Sequence, residues 1–212
     1  MTSGPTDPIY DPVLEKMIIK PSHIKARAYG YSLANSVIDA FRAGDFVPSS
    51  KSSITLHSSE IELGIENFML SLGTLLGIID TDLEFSLFPP FLRYLSEVAF
   101  IQLGDASIVG IPGELYPEIA VGGIENPEGA DYDITPQEVP NLRSQFPEKL
   151  NLMVNLANDA IGYIIPKSEW DQDPPWIYGE KEETYGEIVS LGPNTAPKIH
   201  EKIIKLIEES KK

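Results

Sequence analysis

Two stretches of this 212-residue chain bring chemically useful side chains to the end of an apolar run. In the first, Ile108, Val109, Gly110 and Ile111 lead into Pro112, Gly113 and Glu114, so a β-type run meets a Pro-Gly turn with a carboxylate at its tip. A carboxylate there would stand at the start of a following helix, where free N–H groups stabilise an anion. The same spacing also suits an ordinary helix-start glutamate. The second stretch covers 152–163 and reads as a buried strand that delivers Asn158, Asp159 and Tyr163 to its end, a usual place for catalytic groups. A turn Asn-Asp followed by a packing Tyr fits it equally well.

Other reaction chemistries find no motif. There is no G-x-S-x-G elbow, Walker A loop, H-E-x-x-H or G-x-G-x-x-G. Asp131, Tyr132 and Asp133 resemble the start of a calcium loop, but the glycine and glutamate that should follow are missing. The three histidines stand apart: His23 near a helix start, His57 in a strand and His200 on the last helix. Each reads as structural or exposed rather than as a ligand. Between Arg93 and Arg143 there is no basic residue, whereas Glu97, Asp105, Glu114, Glu118, Glu125, Glu128, Asp131, Asp133 and Glu138 all fall there. That density suits a solvated acidic loop, or a hard-cation or zinc site that needs negative potential.

The elements that must hold these groups follow from periodicity. Ser22 caps a helix expected over 23–43, with Leu33, Val37, Ile38 and Phe41 on one apolar face and Gly44 as the stop. Residues 1–22 read as an irregular lead-in. Residues 52–65 alternate with period two, as a half-buried strand bent at Ser58-Ser59 does. Residues 67–79 suit either helix or buried strand, and Pro89-Pro90 ends whatever precedes them. The runs 98–103 and 107–111 flank Gly104, Asp105 and Ala106, a hairpin signal. A short helix over 115–121, a Pro- and Asp-rich loop over 124–148, a buried strand over 150–156 and a long loop over 166–192 follow. A last helix runs to about residue 209, with Ile199, Ile203, Leu206 and Ile207 on one face. Together these give one α+β domain over 1–212, a mainly antiparallel sheet with flanking helices.

Three ordered segments carry a family resemblance: Gly110-Ile-Pro-Gly-Glu114, then the run from Leu156 through Asn158, Asp159 and Tyr163 to Pro166, then Tyr185 to Thr195. Together they resemble the C-terminal part of the catalytic region of the neutral/alkaline (non-lysosomal) ceramidases, in a divergent prokaryotic branch. The likeness is loose over 24–207 and closer over 98–200. It implies the fold of the second half of that region and a zinc-dependent amidohydrolase acting on ceramide-like or other N-acyl lipids. By the same resemblance Glu114 and Tyr163 match metal ligands, and Tyr185 matches a tyrosine that contacts the reacting amide. A zinc ion with an open position would activate water and polarise a carbonyl. The family's two histidine ligands have no counterpart in His23, His57 or His200. The implied partner is therefore a separately encoded N-terminal half, and the alternative is a non-catalytic remnant or binding module that keeps the fold.

Composition narrows the rest. With 32 Asp and Glu against 16 Lys and Arg, the net charge of −16 disfavours nucleic acid and anionic lipid surfaces. Without cysteine there is no disulfide, thiolate zinc site or cysteine nucleophile. The longest apolar run, 68–79, is too short to span a bilayer, and the first twelve residues lack the pattern of a signal peptide.

Overall fold

The computed structural model describes residues 7–44, 50, 53–79, 83–147, 150–182 and 184–211. The chain forms two compact units, 1–50 and 51–212.

In the first unit, β1 (Ile9–Asp11) and β2 (Lys16–Ile18) pair antiparallel, so part of the expected irregular lead-in is a hairpin. Helix α1 (His23–Ala43) starts and stops where its punctuation places it. The Ser22 hydroxyl accepts the Lys25 N–H, and Gly44 closes the helix in the left-handed region at φ 74°. Asp11, wholly buried, accepts from the Val13 and Leu14 N–H groups and from the Arg27 guanidinium at 2.7 Å. Burial departs from expectation. Lys25 and Ala28 are the buried residues of α1, while Leu33, Val37, Ile38 and Phe41 are exposed. The helix has 21 residues, whereas the strands of the hairpin beside it have three each. The hairpin lies along the opposite face, where Ile9, Tyr10 and Pro12 line one pocket with Ser32, Asn35, Ser36 and Asp39, so it leaves the apolar stripe uncovered.

The second unit is built on a five-stranded sheet in the order β3-β5-β6-β8, with β4 also beside β5. Strand β3 (Ile54–Gly64) is one continuous element through Ser58 and Ser59, and it pairs along the whole of β5 (Leu92–Leu103). Between them lies α2 (Phe68–Leu75), so the 67–79 run is helical where its Asn67 cap supplies two acceptor bonds. Strand β4 (Leu83–Phe85) pairs with the start of β5. The hairpin to β6 (Ala106–Gly110) forms as expected, with Leu103 opposite Ala106. Beyond it come β7 (Glu114–Leu115), α3 (Pro117–Val121), β8 (Leu150–Val154) and β9 (Tyr163–Ile164). Last are the single turn α4 (Tyr185–Ile188) and the closing helix α5 (Thr195–Glu209). The fold is α+β, and among the described residues of the large sheet β6 and β8 form the one parallel pair.

The core lies between one face of this sheet and α5. Ile199, Ile203, Leu206 and Ile207 are all buried there, together with Leu63, Val98, Phe100 and Val109. Each such side chain contributes about 1.5–3 kcal/mol by leaving water. Strand β8 departs from the expected buried strand: it is the sheet's edge, and Leu150, Leu152 and Val154 point outward and are exposed. With period two, only Asn151 and Met153 turn inward. The outer face also holds exposed Ile54, Leu56 and Leu103, which stand in register with the exposed residues of β8 across β5 and β6. These rows carry no charged residue. No described helix is long and apolar enough to cross a membrane.

Candidate functional site

The two stretches singled out in the sequence run side by side. After β6 and β8 pair, a ladder of backbone bonds keeps the following segments together through a bend. Ile111 N–H donates to Val154, Ala157 N–H to Ile111, Leu156 N–H to Gly113 and Ile161 N–H to Pro112, all at 2.9–3.2 Å. Glu114 N–H then donates to Gly162 O at 2.9 Å and Tyr116 N–H to Ile164 O at 3.1 Å. The result is a second parallel pair, β7 with β9, in which Glu114 is the register partner of Tyr163. Glu114 is thus extended rather than at a helix start. Helix α3 begins three residues later at Pro117, and Glu118 is the acid in its first turn. The Pro-Gly turn leads into strand because carbonyls at 162 and 164 wait for its N–H groups.

Close approach fixes this crossing. A Cβ on Gly113 would stand 2.5 Å from Gly162 O. Gly162 has φ +89°, and a Cβ there would stand 1.8 Å from Val189 O. Only glycine tolerates both conditions. On the far side of β9, Tyr163 N–H donates to Val189 O at 3.4 Å, which brings in the segment carrying Tyr185. Asn67 holds that segment in place. Its side-chain amide donates to the carbonyls of Ile188 at 3.0 Å, Ser190 at 3.2 Å and Glu187 at 3.4 Å, while its oxygen caps α2.

Glu114, Tyr163 and Tyr185 therefore converge. The Tyr163 ring lies edge-on to Tyr185, with centroids 6.0 Å apart at 77°, and edge-on to Tyr116 at 6.2 Å and 81°. The Glu114 charge, with partial burial next, holds the Tyr163 hydroxyl above its usual range. Burial, with the Glu187 charge next, pushes Tyr116 up to about 12. Tyr185 is 69% exposed, so its phenol is open to an incoming molecule. Glu187 is buried and accepts from the Thr184 hydroxyl. The cluster offers phenols beside the Glu114 carboxylate, a set that can orient and hydrogen-bond a carbonyl.

Asn158 and Asp159 behave as scaffold. Asn158 is exposed at φ 70° in the turn. Asp159 accepts from Tyr94 at 2.8 Å, from Ser96 at 2.9 Å and from the Ala160 N–H at 2.8 Å, which ties the turn to β5. Tyr116 and Asn67 went unremarked in the sequence. An Asn ahead of an apolar run is a cap signal that would have found Asn67, whereas nothing local marks Tyr116 as a neighbour of Tyr163.

Of the residues that the ceramidase resemblance assigns to zinc, the structure brings together two oxygen-bearing side chains, Glu114 and Tyr163, as register partners. Among the described residues no three His, Asp or Glu side chains gather as a metal site. His23 begins α1, His57 lies half-buried on β3, and buried His200 has Nε2 at 2.8 Å from Pro140 O. Zinc sites ordinarily use three or four protein ligands, so the residues present do not complete one. Comparison with family models, with characterised proteins and with solved structures finds no match for the chain.

Proposed function

We propose that this chain carries the carboxylate–tyrosine half of a ceramidase-like amidohydrolase centre acting on N-acyl amides such as ceramide. The observation that carries this reading is the meeting of Glu114, Tyr163 and Tyr185, which come from three separate segments, in one cluster. Glu114 and Tyr163 are the donor pair for zinc, and histidines of another polypeptide complete the ligand set. The Tyr185 phenol hydrogen-bonds the scissile carbonyl. The uncharged rows of the outer face, from Ile54 and Leu56 across to Leu150 and Leu152, support a partner of this kind, because large exposed apolar patches mark interaction surfaces.

The test supplies the missing ligands as free imidazole. With zinc and imidazole present, the chain is expected to hydrolyse a fluorogenic N-acyl amide slowly. Glu114→Gln and Tyr163→Phe abolish the activity, and Tyr185→Phe lowers kcat by about 100-fold. Hydrolysis unchanged in all three variants would overturn the proposal. The two-donor set favours a second reading, a binding module. That reading predicts saturable binding of the uncleaved amide and no turnover with zinc and imidazole.

A further inference from the structure

We infer that a second site, formed where the loop over 124–133 meets the loop over 168–179, binds an organic cation of the quaternary ammonium class. The pocket there has a volume of about 500 Å³, within the range of small-molecule sites. Its lining includes Trp176, Tyr178, Pro127, Pro175, Glu125 and Glu128. Two aromatic rings and two prolines give apolar, electron-rich walls, and two carboxylates give negative charge. Aromatic faces attract cations through the ring quadrupole, and such cages recognise quaternary ammonium groups. An aromatic wall with carboxylates but no basic residue disfavours anions and gives a neutral ligand no electrostatic reward.

The walls are built, not incidental. Neither loop contains more than a 3-10 turn in this stretch, yet cross-bonds zip them together. The Ser168 hydroxyl donates to Glu125 O at 2.7 Å, and Glu125 N–H donates to the Glu169 carboxylate at 2.7 Å. Asp131 N–H donates to Trp170 O at 2.9 Å, and the Asp131 carboxylate accepts from Gln172 N–H at 2.8 Å and Asp173 N–H at 3.1 Å. A Cβ on Gly129 would stand 2.9 Å from Pro175 O, so the two backbones touch at the pocket itself. The Tyr178 hydroxyl donates to the Glu125 carboxylate at 2.7 Å, which fixes the ring and adds electron density to it. Tyr178 is held at φ 53°, a conformation rare for an aromatic residue and one that sets its side chain against Glu125.

Behind this wall sits another carboxyl group, which burial holds above the usual aspartate range. Asp171 is wholly buried, one carboxylate oxygen accepts the Ile177 N–H between the two aromatic residues, and the other oxygen has no partner among the described residues. The charges of Glu125, Glu169 and Glu118 all act on the Tyr178 phenol. A ligand that brings one positive charge without hydrogen-bond donors satisfies rings and carboxylates together. The inference stands apart from the amidohydrolase reading, since none of Glu114, Tyr163 and Tyr185 lines this pocket.

Calorimetric titration of the intact chain with choline, and with its uncharged carbon isostere 3,3-dimethylbutan-1-ol, tests it. Choline is expected to bind saturably and at least about tenfold more tightly than the isostere. Trp176→Leu should abolish binding. Glu128→Gln, at an exposed position whose replacement leaves the fold intact, should weaken it severalfold. Equal affinity for choline and the isostere would overturn the inference. So would choline binding unaffected by both substitutions, or sodium chloride at equal ionic strength producing the same heat.

Discussion

Glu114 and Tyr163 are opposite one another in a two-residue parallel pair, and the charge of the carboxylate acts on the phenol and holds it above its usual range. This pair continues the parallel pairing of β6 with β8 past a bend, so the large sheet itself determines which carboxylate meets which phenol. The site is therefore as rigid as the crossing beneath it.

That rigidity makes Gly162 a sensitive position. Gly162→Ala combines a positive φ with a Cβ driven into Val189 O. It should destabilise the chain by about 2 kcal/mol or more. Urea denaturation measures the loss, and a changed near-ultraviolet tyrosine signal is expected even where the protein still folds.

Asp159 serves the same crossing from the other side. Asp159→Ala leaves the Tyr94 and Ser96 hydroxyls without their shared acceptor. Ser96 is buried, so the expected cost is about 1–3 kcal/mol. Asp159→Asn, which keeps an acceptor oxygen, should recover part of it in the same denaturation assay.

Alkaline pH should loosen the fold in a defined window. Tyr116 and Tyr178 are each pushed up to about 12, whereas an unfolded tyrosine loses its proton near pH 10. Between those values the unfolded state holds fewer protons than the folded one, so stability falls as pH rises. Below pH 10 the contribution is fully present. The denaturation midpoint followed from pH 9 to 12 should drop, and Tyr116→Phe should flatten that drop.

Acid acts on the first unit instead. The Arg27 hydrogen bond, working against burial, holds the Asp11 carboxyl below its usual 3.8. A depressed carboxylate stabilises the fold above the unfolded value, and that stability is lost as pH falls through the folded one. In a carboxyl-carbon NMR titration Asp11 should titrate below an ordinary aspartate. Arg27→Ala should move its midpoint upward.

Local signals were legible wherever the chemistry is local. Ser22 and Gly44 mark both ends of α1, and the four-residue face from Ile199 to Ile207 on α5 is the face that is buried. What periodicity does not carry is the partner across the gap. The apolar residues of β8 look like core because hydrophobicity alone does not say whether a strand is central or at an edge. Leu33 to Phe41 form a genuine stripe on α1, but no described element covers it in the first unit. The Pro-Gly turn is visible locally and predicts a helix start at Glu114, while the carbonyls that draw the segment into a strand stand 48 positions later in the chain. For the same reason Tyr116 stayed hidden: its neighbour Tyr163 is set by sheet topology.

In the proposed amidohydrolase centre, Glu114 and Tyr163 are a zinc donor pair that two further ligands complete. Binding of zinc to Tyr163 must remove the phenol proton, which phenolate difference absorbance reads directly. Titrating the chain with zinc in the presence of imidazole at neutral pH should produce a phenolate signal equivalent to one tyrosine. Tyr163→Phe should remove it, and Glu114→Gln should weaken it at least about tenfold. No phenolate signal in the wild-type chain, or the same signal in Tyr163→Phe, would contradict the account.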